Sequence, residues 1–539
     1  MRAGEYPLID GPFRQPRVLL LPLAFTAALA AMSLLPVVMR NAHLRWAFVG
    51  AAAVLVGWNG LLLASTRRQR RLLAVDIVLR PQHYVQACAQ GALLLYWGWY
   101  WREVYDSAHL LAAQLLFAYA FDILLTWTRR DTYTLGFSPF PVIFSINLFL
   151  WFKADWFYLQ FLLIAAGFTA KALIRWEKDG RPVHIFNPSS FPLGLFSLVL
   201  IVTGTTDLTW GQEIATTLNY APQIYLVIFL VSVPGQLLFG VTTMTMSAVV
   251  TMYAFGLVYF SLVGTYYFLD TYIPIAVFLG MHLLFTDPST SPRTELGRIV
   301  FGMVYALSVV ALYGALDTFG APRFYDKLLA VPVMNLLIQA IDRIARSNRL
   351  RQLDPGALAQ GLIGRQRNLA YVGIWTTVFI VMSATQGVGD THRGHWVMFW
   401  QQACAEDRPN GCRHFGLMVS TYCNNGSGWA CNEYGVLIQP QIRPELAANA
   451  FRRACDLGFS AGCTNLDPER ARSPVQMAPT LADYEIVLWQ GRGPLPVLSL
   501  PVLSPLQIYQ RACTQGFLDG CGRACDLGDR QACASASRP

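Results

Sequence analysis

Charged residues are scarce in this chain. Lys, Arg, Asp and Glu make up 14% of the 539 residues, against about 25% in an ordinary soluble domain. Hydrophobic residues reach 54%, and mean hydropathy is +0.38. This composition excludes a typical soluble globular protein and predicts a polytopic membrane protein with a modest soluble appendix.

Several motifs of soluble chemistry are also missing. The chain has no Walker loop and no H-E-x-x-H, which are signatures of phosphate and zinc chemistry. It has no C-x-x-C that would indicate a redox dithiol. The net charge of +9 comes mainly from arginines clustered between apolar runs, which favours cytoplasmic loop anchoring over nucleic-acid binding. We therefore expect no nucleic-acid partner.

Apolar runs of membrane-spanning length recur along most of the chain. A membrane helix needs about 20 mostly apolar residues, and on this criterion the sequence predicts about thirteen spans. The fifth and seventh are short enough to be partial or broken helices. The predicted spans run roughly over residues 18–39, 44–65, 82–100, 107–127, 138–152, 155–174, 190–203, 223–239, 242–263, 272–286, 299–316, 327–342 and 369–386.

Arginine and lysine clusters follow even-numbered predicted spans. They include Arg67, Arg68, Arg70, Arg71, Arg129, Arg130, Lys171, Arg175, Lys178, Arg181, Arg293, Arg298, Arg343, Arg346, Arg349, Arg351, Arg365 and Arg367. Short cytoplasmic loops carry an excess of these residues. With a cytoplasmic N-terminus, the loops after even-numbered spans lie inside, so every cluster is cytoplasmic. Thirteen spans then place the C-terminus outside. The prediction is a bacterial inner-membrane protein with an extracytoplasmic C-terminal domain.

Ten of the eleven cysteines form five pairs with the spacing C-x7-C. They are Cys404 with Cys412, Cys423 with Cys431, Cys455 with Cys463, Cys513 with Cys521, and Cys525 with Cys533. The pattern indicates an oxidising compartment, in agreement with the predicted orientation. Residues eight apart in one helix are separated by about 12 Å, whereas a disulfide needs Cα atoms within about 7 Å. Each pair, if bridged, must therefore straddle a turn. Zinc is the alternative, although its sites favour shorter spacing.

Glycine stands three residues after the first cysteine of four pairs, as Gly426, Gly458, Gly516 and Gly528. Glycine there can end a helix in the left-handed conformation, which predicts helical hairpins. The region of about 404–539 resembles the cysteine-rich Sel-like repeats, relatives of tetratricopeptide repeats. The resemblance implies that a disulfide ties the two helices of each repeat. A solenoid most often binds proteins or peptides, so a periplasmic or extracellular partner is expected, and a rigid cap is the alternative.

The membrane part contains several polar stretches. They are RPVHIFNPSSFPLG (181–194), GQLLFGVTTMTMSAVV (235–250), MHLLFTDPSTSPRTELGRIVFG (281–302) and VPVMNLLIQAID (331–342). In order and spacing they resemble RnfD of the Rnf electron-transport complex and NqrB of the sodium-pumping NADH:quinone oxidoreductase. The resemblance covers about 130–345. It implies electron transfer coupled to ion movement, a flavin or quinone ligand, and other membrane redox subunits as partners.

Many members of that family carry flavin mononucleotide (FMN) attached through its phosphate to a threonine of an S/T-G-A-T motif on the outer side. Residues 203–206, Thr-Gly-Thr-Thr, resemble this motif with threonine in place of alanine. The acidic residue expected before the motif is absent. The resemblance implies attachment at Thr206. The alternative is a threonine-rich helix end whose hydroxyls satisfy free carbonyls.

Two Asx-Pro pairs, Asn187-Pro188 and Asp287-Pro288, lie in related frames, Phe-x-Pro-Ser for the first and Phe-x-x-Pro-Ser for the second. The structural explanation is that each starts a helix, since Asn and Asp cap free amides and proline fits the first helical position. The functional explanation is that the helix start holds a phosphate or another anion, assisted by Arg181 or Arg293. The related frames predict a weak internal repeat around a common site.

Among the ionisable residues within predicted spans, the functional candidates are His109, Asp122 and His282. Such residues are functional candidates by default. His282 lies five residues before Asp287, so the two side chains meet only if the helix ends or loosens between them. A buried histidine bonded to a carbonyl is the structural alternative to a proton relay.

The predicted fold is an all-α membrane helix bundle with a small disulfide-stapled helical domain outside. The predicted domains are N-terminal spans (1–130), an RnfD/NqrB-like core (131–345), a basic loop and last span (346–388) and a repeat domain (389–539) with a proline-rich insertion at about 473–505. Alternative functions are a non-redox anchor presenting protein-binding repeats and a small-molecule transporter. The candidate cofactor-binding residues are Thr206, Arg181, His184, Asn187, Pro188, His282, Asp287, Pro288, Arg293 and Arg298.

Overall fold

The structure is a computed structural model and is mostly helical. It describes residues 13–14, 16–178, 180–269, 271–358, 361, 363–438, 443–467, 473–488 and 503–536. The chain divides into two compact units, of which the first comprises residues 1–218, 225–252 and 275–380 and the second residues 219–224, 253–274 and 381–539. The four domains predicted from the sequence stay a prediction.

Seventeen helices lie wholly or mainly in the described part of the first unit. They are α1 Leu20–Met32, α2 Pro36–Met39, α3 Ala42–Gln69, α4 Pro81–Tyr100, α5 Glu103–Asp106, α6 Ala108–Trp127, α7 Pro139–Asn147, α8 Tyr158–Leu173, α9 Ser190–Thr203, α10 Gly211–Thr217, α11 Ile224–Phe239, α12 Thr242–Val263, α13 Ile275–Leu279, α14 Glu295–Thr318, α15 Asp326–Ala345, α16 Pro355–Leu358 and α17 Gly364–Ala384. Short 3-10 turns and one π-helical turn connect some of them.

Within the described residues, five helices are long and apolar enough to cross a membrane, which indicates a membrane protein. They are Ala42–Gln69, Ala108–Trp127, Thr242–Val263, Glu295–Thr318 and Arg323–Ala345. A sixth candidate is the pair Gly211–Tyr220 and Ile224–Phe239, which is bent by 102°. The predicted total of thirteen spans is not confirmed. Some apolar runs are broken, as where residues 18–39 divide into α1 and α2 before Pro36.

The described residues also contain five short strands, one before the first helix and four between helices, a detail that the all-α prediction misses. They are β1 Phe13–Arg14, β2 Ala74–Ile77, β3 Thr132–Leu135, β4 Arg175–Lys178 and β5 Arg181–His184. Strand β2 pairs antiparallel with β1 and parallel with β3, whereas β4 and β5 form an antiparallel hairpin. Pairing satisfies backbone groups that these connections would otherwise leave open.

Close helix packing in the first unit depends on small residues. A Cβ atom at Gly302 of α14 would overlap Met244 O and Ser247 Oγ of α12. A Cβ at Gly194 of α9 would lie 2.9 Å from Leu328 O of α15. Small residues allow membrane helices to approach closely and gain dispersion energy. These glycines therefore set the spacing of two helix pairs.

The second unit consists of short helices joined as hairpins. They are α18 Val397–Ala405, α19 Gly411–Asn424, α20 Gly428–Leu437, α21 Pro444–Asp456, α22 Ser460–Asn465, α23 Leu481–Leu488, α24 Pro505–Thr514, α25 Leu518–Asp526 and α26 Arg530–Ala536.

Five disulfides tie these hairpins, one for each C-x7-C pair. Their Cα separations are 4.2–4.7 Å, and each bond links the end of one helix to the start of the next. The bonds join Cys404 to Cys412, Cys423 to Cys431, Cys455 to Cys463, Cys513 to Cys521, and Cys525 to Cys533. Each predicted pair is therefore bridged across a turn, and none of these ten thiols is left for the alternative of a zinc site.

The turns between stapled helices follow the glycine pattern. Gly426, Gly458, Gly516 and Gly528 have φ values of 99°, 82°, 94° and 97°, in the left-handed region that glycine adopts without steric cost. The remaining pair, Cys404 with Cys412, has no glycine at this position, and Asp407 takes a φ of 52° there. Aspartate is one of the few residues that tolerate this region. The predicted helical hairpins are therefore present at all five pairs.

An aromatic core fills the second unit. It includes the buried side chains of Trp400, Phe415, Trp429, Tyr484 and Phe517. Tyr484 belongs to α23, within the proline-rich insertion, whose residues 489–502 lie outside the described part. The carboxylate of Asp483 on the same helix accepts hydrogen bonds from Ser427 Oγ (2.7 Å) and Trp429 N (3.0 Å). The described part of the insertion is thus integral to the core.

Candidate functional site

A polar cavity of about 500 Å³ lies in the first unit. Its walls come from the starts of α4 and α7, the ends of α6 and α8, strands β3 to β5, and the turns that follow residues 187 and 287. The polar lining residues are Arg80, His83, Gln86, Asp122, Thr126, Arg130, Thr132, Tyr133, Thr134, Ser138, Ser145, Lys171, Arg175, His184, Asn187, Ser189, Asp287 and Ser289. Small-molecule sites usually occupy about 300–1,000 Å³, so this cavity has the size of a ligand site.

Two Asx-Pro-Ser turns of matching geometry form one wall. Asn187 Oδ1 accepts hydrogen bonds from Ser189 N (2.9 Å) and Ser189 Oγ (2.7 Å). Asp287 Oδ1 accepts from Ser289 N (2.9 Å) and Ser289 Oγ (2.6 Å). Each Asx side chain thus closes its own turn, as Asx residues commonly do. The structure brings these two sequence-distant motifs to one cavity.

The Asn187 turn is fixed from several sides. Asn187 Nδ2 donates to Leu284 O (3.0 Å), and Asn187 N donates to Asn335 Oδ1 (3.1 Å). A Cβ atom at Gly167 of α8 would overlap Pro188 O, so only glycine permits this approach. The serine amides are engaged by the turn itself and are not open to a ligand. This geometry supports the structural explanation of the Asx-Pro pairs and makes them a rigid wall.

The charge of the cavity comes from a different set of residues. Arg80, Arg130, Lys171 and Arg175 line it, against two carboxylates, Asp122 and Asp287. Within the described part of the chain, none of these four cations forms an ion pair. Arg175 Nε instead donates to Lys171 O (3.3 Å). An anion bound here would meet an excess of positive charge.

Both carboxylates of the lining are engaged by neighbouring residues. Tyr133 OH donates to Asp122 Oδ2 (3.2 Å), and His184 Nε2 lies 3.4 Å from Asp287 Oδ2. Burial opposes the ionisation of Asp287, but the hydrogen bonds from His184 and Ser289 outweigh it and lower its pKa to about 2. Asp287 is therefore a carboxylate at neutral pH.

Cation crowding is visible in the electrostatics of Arg175. Desolvation lowers the pKa of this guanidinium, and repulsion from Arg130 and Arg129 lowers it further. Desolvation of Tyr133, together with the carboxylate of Asp122, raises the pKa of that phenol. Like charges held close together are stabilised by a bound counter-ion. The site is thus preformed for a negatively charged group.

The sequence-predicted residues separate into different places. His184, Asn187, Pro188 and Asp287 line the cavity, and Pro288 begins the short turn behind Asp287. Thr206 follows the opposite end of α9 from Asn187, and fourteen helical residues span about 21 Å. The structure therefore does not bring Thr206 to this cavity.

Arg293, one of the two arginines predicted to assist the Asx-Pro turns, does not supply the positive charge seen here. Arg293 is not among the lining residues, and its backbone N donates to Asp342 Oδ1 (2.8 Å). For Arg181 the structure describes the backbone, in β5, and not the side chain. Arg298 is held by Glu295 Oε1 (2.7 Å) and by the carbonyl of Gly240 (2.6 Å). Arg298 thus has a packing role.

The other ionisable candidates also lie apart. His109 Nδ1 lies 2.9 Å from Asp106 O near the start of α6, while Asp122 lines the cavity. His282 is in the π-helical turn Gly280–Leu284 and borders a separate, much smaller cavity. The helix does loosen between His282 and Asp287, although the two residues line different cavities.

The stretch Gly458–Gly462 matches the G-x-S-x-G spacing of hydrolase nucleophiles. That motif requires a strand before the serine and a helix after it. Here Ser460 is the first residue of α22 and is preceded by α21. Its Oγ lies 3.4 Å from Met477 Sδ. The local structure is that of a stapled helical turn, not of a nucleophile elbow.

Sequence reasoning assigned Arg130, Lys171 and Arg175 only to membrane orientation, and it did not use Arg80. The positions of Arg130, Lys171 and Arg175 after even-numbered predicted spans gave no sign that these residues line one cavity. In the described residues, no group of three or more His, Cys, Asp or Glu side chains is arranged to hold a metal ion. Comparisons of the chain with models of protein families, with curated proteins and with solved structures gave no match.

Proposed function

We propose that this chain is a membrane electron-transport subunit of the RnfD/NqrB type that binds a phosphorylated cofactor of the flavin class in the polar cavity. The observation that carries the proposal is the set of four unpaired cations around a cavity of about 500 Å³. The sequence resemblance supplies the redox chemistry and the flavin, and the cavity supplies the positive charge that a phosphate needs.

Arginine and lysine serve this purpose in different ways. The three arginines of the set present planar donors that match phosphate oxygens, and Lys171 adds a compact point charge. Ser189 and Ser289 also line the cavity, with hydroxyls that donate to Asn187 and Asp287 and keep lone pairs free. The cationic side would hold the phosphate, and the more neutral side would contact the rest of the ligand.

The orientation follows from the same residues. We place the N-terminus in the cytoplasm and the C-terminal domain outside the bacterial inner membrane, with about thirteen crossings that include short and broken helices. Arg130, Lys171 and Arg175 follow predicted even-numbered spans, so the cavity opens to the cytoplasm. Five disulfides in the second unit support its location in an oxidising compartment.

Covalent FMN at Thr206 is a separate proposal. Thr206 is half-buried and begins a 3-10 turn with Asp207, and on the proposed orientation it faces outside. A flavin bound there and a ligand in the cavity would occupy opposite ends of α9. The two sites therefore require separate tests.

The second unit offers a surface for a protein or peptide partner. A groove of about 520 Å³ lies beside α18 and the turn after α24. Trp396, Met398 and Phe399 line it together with Arg393. Aromatic, methionine and arginine side chains are enriched at protein interfaces. This groove supports the Sel-like, partner-binding role that the sequence resemblance implies.

Binding of FMN and riboflavin to the purified chain tests the cavity proposal. The two ligands differ by the phosphate, so FMN should bind more tightly, and its affinity should fall with salt. The double variant Lys171→Gln with Arg175→Gln should weaken FMN binding by at least about tenfold, since a hydrogen bond to a charged group contributes about 1.5–3 kcal/mol. Flavin fluorescence quenching is the measurement.

The matched control is Arg67→Gln with Arg68→Gln, which removes two exposed cations from the end of α3 outside the cavity lining. It should leave the FMN affinity unchanged. Equal affinities for FMN and riboflavin, or equal losses in both double variants, would contradict the proposal.

A further inference from the structure

The segment that carries His282 changes its helical form. Helix α13 ends at Leu279, and Gly280–Leu284 form a π-helical turn. A bond of 3.2 Å from Phe285 N to Gly280 O closes this wider turn. Such turns are rare and are frequent at functional sites. The one ionisable side chain in this turn, that of His282, is therefore a candidate for a functional role.

The hydrogen bond of His282 fixes which ring nitrogen carries hydrogen. His282 Nδ1 lies 2.7 Å from Phe278 O. A carbonyl oxygen only accepts, so Nδ1 is the donor and Nε2 of the neutral ring has a free lone pair. Nε2 has no hydrogen-bond partner among the described residues, although His282 is only 2% exposed. Nε2 of His282 is thus a buried basic nitrogen that is available to accept a proton.

Nε2 has a polar setting. His282 borders a cavity of about 10 Å³ together with Gln86, Ser232 and Gln236. Gln236 Nε2 donates to Ser232 Oγ (3.1 Å), while no described group hydrogen-bonds Gln236 Oε1. A space of about 10–15 Å³ with two or more polar partners is enough for one water molecule. The cavity thus offers an acceptor for an imidazolium N–H.

Among the described residues that line this small cavity, His282 is the only titratable one. The residues that α4 and α11 contribute are neutral, and so is Trp375 of α17, whose ring centroid lies 5.9 Å from that of His282. The nearest charged pair along its own segment is Asp287 with His184, and both residues line the larger cavity.

The two cavities share a wall residue. Gln86 of α4 lines both of them. Thr286 lines the small cavity and is followed directly by Asp287 of the large one. Thr286 Oγ1 donates to His282 O (2.9 Å), which ties the residue before Asp287 to the turn that carries His282. Only a thin polar wall therefore separates His282 from the polar cavity.

We propose that His282 is a reversible proton site inside the membrane helices, loaded from the polar cavity past Gln86. A Brønsted acid in the polar cavity transfers a proton to Nε2, through one water held between Gln86, Gln236 and His282. The ring becomes an imidazolium that keeps its Nδ1–H bond to Phe278, and the return transfer restores the neutral ring. The proposal does not depend on which cofactor occupies the polar cavity.

The test is 15N NMR of histidine-labelled protein in lipid, because imidazole nitrogen shifts report tautomer and charge directly. His282→Phe and, for folding, His282→Gln identify the signals of this residue. In the wild type these signals should change from the Nδ1–H form towards the imidazolium form as the pH is lowered from about 8 to about 4. His109→Phe removes a histidine with a similar carbonyl bond and should leave them unchanged.

Gln86→Leu tests the route. It keeps His282 but closes the polar wall, so proton exchange at His282 should slow by at least tenfold while the other histidines exchange as before. Signals of His282 that stay in the neutral form over the whole pH range would overturn the proposal. An unchanged exchange rate in Gln86→Leu would overturn the route.

Discussion

Replacing Glu433 by glutamine is expected to stabilise the second unit above neutral pH. Glu433 on α20 is 2% exposed, and its Oε2 accepts hydrogen bonds from Gln476 Nε2 (2.6 Å) and Gln401 Nε2 (3.4 Å). Burial raises the pKa of this carboxyl from 4.5 to about 7, and hydrogen bonds from Gln476 and Asn432 only partly oppose it. The folded state therefore holds the carboxyl in its protonated form more strongly than the unfolded chain does.

The sign of the pH dependence follows from this difference. Between about pH 4.5 and about pH 7 the folded state binds more protons than the unfolded state, so stability falls as pH rises through that window. It is highest below the unfolded-state pKa and stays low above the folded-state pKa. At about 1.4 kcal/mol for each tenfold change in proton affinity, the full effect is about 3 kcal/mol. Glu433→Gln removes the ionisable group and the pH dependence with it.

Brief proteolysis in a series of urea concentrations measures this stability in the full chain, with peptides of the second unit identified by mass spectrometry. The wild type should lose up to about 3 kcal/mol of unfolding free energy from about pH 5 to about pH 8. Glu433→Gln should show a flatter profile and exceed the wild type at about pH 8. Glu445→Gln, an exposed carboxylate on α21, should leave the profile unchanged. A wild-type profile without slope would refute the reasoning.

Three further predictions concern packing, the disulfides and topology. Gly302→Ala should lower the thermal unfolding midpoint, because overpacking costs about 1–3 kcal/mol. Gly373→Ala should leave the midpoint unchanged, because a Cβ atom there meets nothing within 4 Å. Equal midpoints for the two variants would contradict the role of Gly302. The double variant Cys455→Ser with Cys463→Ser should lower the unfolding free energy of the second unit by about 2–3 kcal/mol for so short a loop, measured by the same urea proteolysis, and an unchanged value would count against a structural disulfide. A periplasmically active reporter fused after residue 388 should be active outside the cytosol, and activity only in the reducing interior would contradict the orientation.

Local sequence patterns predicted the stapled helical turns of the second unit. The fixed cysteine spacing and the glycine three residues later determine a helical turn within a few residues, and the left-handed Gly426 and Gly458 bear this out. At Cys404 the same turn forms with Asp407 in the glycine position, which the glycine pattern alone does not anticipate. The role of α23 was missed because Tyr484 reaches the core through contacts that are distant in sequence.

Hydropathy was a weaker guide to the number of spans. A hydropathy average counts the apolar residues of a segment and does not detect where a helix is interrupted. Residues 138–152 read as one span, yet α7 ends at Asn147, where Asn147 Nδ2 donates to Gln114 Oε1 (2.8 Å) on α6. Buried apolar segments can thus be core as well as membrane span. The coarse expectation, several apolar helices of membrane-spanning length, is what the structure supports.

The candidate site was predictable only in part. Asn187-Pro188 and Asp287-Pro288 have a local signature, and the structure places both turns at one cavity. The cations were not predictable as a site, because Arg80 and Lys171 come to one cavity only through tertiary packing, in which α4 packs on α7, α7 on α6 and α6 on α8. The consequence is that the turns shape the cavity and the arginines and lysine give it its charge.

The most direct test of the account is photolabelling of the purified, non-reduced chain with an azido derivative of FMN, followed by peptide mapping. The account predicts label on the peptides that contain Lys171–Arg175 and His184–Ser189, with loss of that label when excess FMN competes and retention when riboflavin competes. Label that is absent from these peptides, or that riboflavin displaces as well as FMN does, would contradict the claim that the polar cavity binds a phosphorylated cofactor.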